Sequence, residues 1–159
     1  MAPKEKFLSW KEWEFNVTLK VLNALPKGQE DYRPHERSRS AKELAFALAN
    51  EELVNKEIVA GRVDFAGLPK MGTESWDEVI ALLKKNYQAS VDAIKSAGDA
   101  DLMAEATIDF AGHKSSKIDA LWSMLFDHVH HRGQFSVYLR LAGGKVPSIY
   151  GPSADDPGV

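Results

Sequence analysis

The sequence predicts an all-α protein, a four-helix bundle, which we expect to form a single domain over residues 1–159. Four long segments carry apolar residues at intervals of three and four, the spacing of one helix face. Two of them begin with a Ser-x-x-Glu capping box, and loops rich in Gly and Pro separate them. Four long helices with substantial loops between them favour a bundle. We find no internal repeat, no low-complexity segment and no convincing β-sheet pattern.

The first helix is predicted over residues 9–25, with Trp10 and Trp13 on its apolar face and Pro26 just after its end. A polar loop, QEDYRPHERSR, then leads to the second helix. We expect this loop to lie at the surface, because it contains few residues that a core would bury.

Capping boxes mark where the second and third helices begin. Ser40 with Glu43, and Ser75 with Glu78, have the spacing at which each side chain satisfies a free backbone amide of the first turn. Gly61 is a plausible end for the second helix. Both helix starts are therefore predicted to the residue.

The fourth long helix is predicted over residues 116–142, and Gly143 and Gly144 close it. The segment ATIDFAGHKSS before it is expected to be a short extended piece. Apolar residues occur nearly all round this helix, which predicts wide burial, with the bundle core on one side and a second subunit on the other. These residues are Leu121, Trp122, Leu125, Phe126, Val129 and Val137.

Charge and composition narrow the classes of function. The formal net charge of −3 gives no general attraction to nucleic acid or to an anionic membrane, so we expect neither partner. The absence of cysteine excludes a disulfide framework, a thiol nucleophile and a cysteine zinc site. The first ten residues have no apolar signal region, and no apolar run is long enough to span a bilayer. We therefore expect a cytoplasmic protein.

One carboxylate falls where an apolar residue is expected. Leu48 and Val54 lie on the apolar stripe of the second helix, and the same periodicity places Glu51 on it. A buried carboxylate is costly unless a cation or metal partners it, a proton neutralises it or water reaches it. Arg132 is one candidate partner. The next residue, Glu52, lies about 100° further round the helix and is expected to face solvent.

The fourth helix supplies partners for Glu51. Asp127 and His131 are four residues apart, which places both side chains on one face, one turn from each other. With Glu51 they form a candidate metal site with two oxygen donors and one nitrogen donor. Such a set suits zinc, nickel, manganese or iron without selecting among them. His128 is a weaker candidate ligand, and His130 points away. The alternative remains that Asp127 only accepts a hydrogen bond from a Trp, Tyr or His.

The run LFDHVHHRGQ followed by YLR and VPSIYGPSA resembles the closing segment of the DinB/YfiT-like superfamily of four-helix proteins. The openings FLSWKEWEFNVTLKVLNALP and YRPHERSRSAKELAFALANEE occur in the order typical of that superfamily. The resemblance covers most of the chain. It implies a bundle of the up-down-down-up type, with loop-rich connections and a short C-terminal tail, and it implies a homodimer.

The resemblance also implies a metal site made of three histidines, of which only His131 matches here. The position four residues earlier is Asp127, and the histidine of the second helix falls at Ala47, with Glu51 one turn further on. The site is thus expected either to be rich in carboxylates, through Glu51, Asp127 and His131, or to be lost.

Two functions follow as expectations. The superfamily that the sequence resembles includes metal-dependent transferases and isomerases that use small-molecule thiols. The resemblance therefore implies, as one expectation, a thiol-dependent S-transferase or isomerase. The alternative is a non-catalytic, stress-associated dimeric scaffold or small-ligand binder with a degenerate metal site, in which no metal is bound. DNA binding is disfavoured by the net charge, although RPHERSRSAK is locally basic.

Overall fold

Four long helices run along one another in the computed structural model, which describes residues 2–104, 108–110 and 113–158. A short helix and a two-stranded hairpin precede the last long helix. In chain order the described elements are α1 (Pro3–Leu22), α2 (Ala41–Val59), α3 (Trp76–Ser96), α4 (Asp99–Met103), β1 (Ile108–Phe110), β2 (His113–Ser115) and α5 (Lys117–Leu141). The predicted all-α four-helix bundle is confirmed.

Contacts between α1 and α5 show that these two helices run parallel. Near the start of both, the rings of Phe7 and Trp122 lie 5.1 Å apart in an edge-to-face arrangement. Further along both, Arg132 donates a hydrogen bond to Glu14. Sequence number thus rises in the same direction on the two helices.

The helices α2 and α3 run parallel to each other and antiparallel to α5. Asn86 donates to the carbonyl oxygen of Ala49 at 2.9 Å, and four residues on, Ser90 is bonded to Glu52. At the end of α2 and the start of α5, Lys117 donates to the carbonyl oxygen of Val59 at 3.0 Å. The order is therefore up-down-down-up, as expected.

The helix starts follow the predicted capping boxes. Ser40 and Ser75 accept hydrogen bonds from the backbone amides of Glu43 and Glu78, whose carboxylates reach back to the cap amides. Helix α1 begins at Pro3, six residues before the predicted start, because proline is well accommodated in a first helical turn where its missing N–H costs nothing.

A short antiparallel pairing joins β1 to β2, although the sequence pattern indicated no β-sheet. The register places Asp109 opposite Lys114. This pairing lies within the predicted extended segment, of which residues 106–107 and 111–112 lie outside the described part. Three residues per strand are too few to give a periodicity that sequence analysis detects.

Helix α1 buries a different face from the predicted one. Trp10 and Trp13 are 45% and 40% exposed, whereas Lys11, Glu14 and Thr18 are buried with exposures of 2%, 4% and 0%. Each of these polar groups is buried against a partner of another helix, which offsets its desolvation. The prediction was wrong because it assumed that only apolar residues face the core.

Within the described part of one chain, helix α5 is buried against the core on one side, and the second subunit predicted for its other side stays a prediction. Leu121 and Leu125 are in the core, but Phe126 and Val137 are 67% and 57% exposed. In the described chain no helix has both the length and the apolar run that crossing a bilayer requires. The buried apolar residues form two clusters, one toward each end of the bundle, and the buried polar residues of α1 lie between them.

Candidate metal centre

Glu51 lies on the inner face of α2, where the apolar stripe predicted it. Its side chain is 7% exposed. Oε1 accepts a hydrogen bond from His131 Nδ1 on α5. Oε2 lies 3.2 Å from His128 Nδ1, but it is buried and makes no well-formed hydrogen bond among the described residues. A buried carboxylate oxygen with an unused lone pair is a ready donor to a cation.

Asp127 completes a group of three. Its Oδ2 lies 3.8 Å from His131 Nδ1, one helical turn away on α5. One donor atom each from Glu51, Asp127 and His131 lie within 4.8 Å of one another. The Asp127 side chain is 49% exposed, so this carboxylate stands at the mouth of the site and Glu51 at its base.

A cleft of about 430 Å³ opens above these three side chains. Its size is within the range of small-molecule sites. Ala47, the position to which the resemblance assigns a histidine, lies in its wall one turn before Glu51. The other residues that line it are Arg39, Asn50, Val54, Phe65, Leu68, Ser123 and Met124.

Glu51 and His131 perturb each other electrostatically. Burial favours the neutral form of Glu51, but the two imidazoles outweigh it and hold the pKa of Glu51 below its ordinary value. The hydrogen bond to Glu51 raises the pKa of His131, against an opposing effect of burial. The pair therefore favours a Glu51 carboxylate beside a His131 imidazolium. The Nδ1 proton of His131 lies between the two groups, at the position that a metal cation would take.

The donor set fits a divalent transition metal. Two carboxylates and one imidazole are oxygen and nitrogen ligands of the kind that zinc, nickel, manganese and iron accept, and a metal would replace the proton on His131. The orphaned Oε2 of Glu51 supports this fit. Three protein ligands would leave coordination positions of a bound metal open to water or substrate.

His128 belongs to the support of this site. The ring is 5% exposed and does not line the cleft. Nδ1 faces Glu51, and Nε2 lies 2.9 Å from the Thr18 hydroxyl, which donates to it if Nδ1 carries the hydrogen. His128 thus lies between Thr18 and Glu51, and its buried ring supports the position of the Glu51 carboxylate. His130 is exposed and accepts from the Gln134 amide at 2.7 Å, away from the site.

Glu52 was predicted to face solvent, and this was wrong: the residue is 3% exposed. One oxygen accepts from Lys11 at 2.6 Å, from Ser90 at 2.6 Å and from Asn55 at 3.2 Å. Burial alone would raise the pKa of Glu52, but the Lys11 ammonium, His128 and the Ser90 hydroxyl together outweigh it and the pKa is lowered. Sequence analysis missed this group because the cation comes from α1.

Arg132 does not pair with Glu51, which removes one alternative for that carboxylate. Its guanidinium, 2% exposed, binds Glu14 on α1 and donates to the Tyr150 hydroxyl at 2.5 Å. Tyr150 in turn lies 2.9 Å from Glu14 Oε1 and donates to it. The C-terminal tail is thus bound to α1 and α5 through the hydroxyl of Tyr150. The spacing Lys11, Glu14, Thr18 was the signal available for this polar face.

Together the helix order and the interior group define a class of protein, a helical bundle whose central cleft presents carboxylates and an imidazole. The profile of the DinB family matches residues 1–157, and the chain belongs to the DinB family. The resemblance found in the sequence is confirmed.

Individual relatives agree with this assignment. The uncharacterized protein YrdA of Bacillus subtilis (strain 168) is 26% identical over 166 residues, covering 92% of this chain and 88% of that protein. A DinB-like crystal structure from Bacillus subtilis superposes with a TM-score of 0.74 at 24% identity, covering 91% of this chain and 97% of the other. One from Bacillus cereus ATCC 10987 gives 0.75 at 24% identity, covering 92% and 97%. At this identity the two structures support the fold alone.

Proposed function

We propose that this protein binds a divalent transition metal through Glu51, Asp127 and His131 and uses it in a thiol-dependent transfer or isomerisation reaction. The observation that carries the proposal is the convergence of three ligand atoms within 4.8 Å at the base of an open cleft. A cleft of this size gives a small-molecule thiol access to the site. The metal identity and the reaction are predictions that the resemblance first suggested.

The chain's own residues have defined tasks in this proposal. Glu51, buried beside His128, would be a ligand at the base of the site. His131, half-buried, would bind the metal through Nδ1 in its neutral form. Asp127 reaches in from the cleft mouth and helps to balance the positive charge. A bound divalent ion would lower the pKa of a coordinated thiol, as it does that of water.

Metal content tests the first half of the proposal. Untagged protein purified without chelator is expected to hold about one transition metal per chain by elemental mass spectrometry, and His131→Ala is expected to lose it. His130→Ala is the matched control, because that neighbouring imidazole is exposed and bonds only to Gln134 among the described residues. Wild-type protein that takes up no zinc, nickel or manganese after loading would rule out the metal site.

A second candidate function has one observation in its favour. Oε1 of Glu51 already has a protein partner in His131, so the carboxylate has a hydrogen bond from an imidazole even without a metal. A non-catalytic small-ligand binder with a degenerate site, dimeric as the resemblance implies, would use the same cleft. The melting temperature separates the two candidates, because a metal that binds the folded state stabilises it by RT ln(1 + [L]/Kd), a free energy that grows with the logarithm of the metal concentration, and so raises the melting temperature.

A further inference from the structure

Arg39 lies beside the candidate metal centre and has no carboxylate partner among the described residues. It comes directly before the helix cap Ser40 and lines the cleft together with Glu51 and His131. It also lines the adjoining groove with Gln134 and Tyr138. In the part of the chain that the structure describes, Arg39 has no hydrogen bond and no ion pair. A guanidinium at a cleft wall can bind a carboxylate through two parallel hydrogen bonds.

The charges of the site define what would complement it. Glu51 and Asp127 contribute two negative charges, which a divalent metal balances, and a metal-ligating His131 is neutral. Arg39 then leaves one positive charge at the cleft wall. A ligand with one negative charge completes this balance. A phosphate monoester carries nearly two negative charges at neutral pH, so a carboxylate fits better.

Most of the remaining cleft wall is apolar, and Asn50 and Ser123 are its other polar residues. Val54, Leu68 and Met124 come from α2, the loop after it and α5, and Phe65 on the same loop adds an aromatic wall. Apolar walls with a few placed polar groups are the usual design of a site that orients a small organic ligand. Burial of an apolar ligand body there contributes affinity, and Arg39 fixes which end points outward.

We propose that the cleft selects a small monocarboxylic acid with an apolar body, whose carboxylate binds Arg39 while the opposite end lies over Glu51, Asp127 and His131. This inference rests on the proposed function and narrows its substrate class. Arg39 is a specificity-determining residue in this arrangement and takes no part in metal binding.

Isothermal titration of zinc-loaded protein with two probes of one shape tests the inference. The acid 4-phenylbutyrate is expected to bind more tightly than its neutral amide, 4-phenylbutyramide. In Arg39→Gln the acid is expected to bind about 10- to 100-fold more weakly, as the loss of a charge-assisted hydrogen bond predicts, and the amide nearly unchanged. Arg39→Lys retains a charge and is expected to lose less.

Arg37→Gln is the matched control, because Arg37 is an exposed cation of the same loop that does not line the cleft. It is expected to bind both probes as wild type does. Equal affinity for acid and amide, no binding of either, or equal losses in Arg37→Gln and Arg39→Gln would overturn the inference. Zinc stoichiometry is measured in the same samples and is expected to be unchanged in Arg39→Gln. Wild-type protein that binds no zinc would instead overturn the proposed function.

Discussion

The histidines at positions 128, 130 and 131 occupy three different environments within one helical turn. His128 is buried between Thr18 and Glu51, His130 is exposed, and His131 is half-buried against the same Glu51. Because successive residues of a helix differ by 100°, adjacent imidazoles cannot share a role. The candidate site therefore depends on which face each ring occupies, and the density of histidines in the sequence carries little information by itself.

At this scale we predict different losses of metal affinity for the two inner histidines. His131→Ala removes a ligand and is expected to abolish measurable zinc binding. His128→Ala removes only the group that orients Glu51 and is expected to weaken zinc binding about 10- to 100-fold, which is typical for loss of a support to a metal ligand. Competition with a fluorescent zinc indicator measures both values.

Thr18→Val is the control for this comparison, since it removes the other contact of His128 and leaves Glu51 untouched. We expect a smaller loss of zinc affinity than in His128→Ala. If His128→Ala bound zinc as wild type does, His128 would have no positioning role. If its loss equalled that of His131→Ala, His128 would be a ligand itself.

At the scale of elements, α1 shows what apolar periodicity can and cannot predict about a helix. The helix was predicted, but its inner face was not, because Lys11 and Glu14 are inside while Trp10 and Trp13 are half-exposed. A polar residue can face the core when a residue of another helix binds it. The sequence of one helix does not show whether another helix supplies such a residue. Glu51 was predictable because it interrupts an otherwise apolar stripe on α2.

The Lys11–Glu52 pair links α1 to α2 across the bundle, and we predict a large cost for breaking it. Lys11→Met leaves the Glu52 carboxylate buried without its cation and is expected to lower the free energy of unfolding by about 3–5 kcal/mol. Chemical denaturation monitored by far-ultraviolet circular dichroism measures it.

The double variant Lys11→Met with Glu52→Gln is the control. It removes the buried charge and leaves an amide to which Ser90 and Asn55 can still bond, so we expect it to recover much of the lost stability. A double variant no more stable than Lys11→Met would show that the cost comes from lost packing of the lysine stem, and the ion pair would then have little part in joining α1 to α2.

At the scale of the whole molecule, helix direction was the feature that periodicity left undetermined. Parallel α2 and α3 require the intervening loop, residues 60–75, to return along the bundle, and a long loop permits either direction. The up-down-down-up order came from the resemblance. The pairing of Asp127 with His131 followed from spacing, but their approach to Glu51 depends on α2 and α5 being antiparallel neighbours.

Two carboxylates, Asp155 and Asp156, hold the C-terminal tail in place, and this predicts how stability responds to acid. Asp156 accepts hydrogen bonds from the amides of Ser148 and Gly158, which lower its pKa from 3.8 to about 2. The pKa of Asp155 is also lowered, by Arg140 and the Val146 amide. A carboxylate with a lowered folded pKa adds stability that is complete above its unfolded pKa and is lost as pH falls through the folded value.

We therefore expect the free energy of unfolding to decline as pH falls from about 4 to about 2, the window set by the ordinary and lowered pKa of Asp156. Asp156→Asn is expected to flatten this decline, because the amide cannot titrate. Urea unfolding at pH 5, 4, 3 and 2.5 measures the slope, and Glu36→Gln, a change at an exposed carboxylate of the 23–40 loop, is the control. Parallel pH profiles for wild type and Asp156→Asn would show that Asp156 does not contribute to the acid stability of the protein.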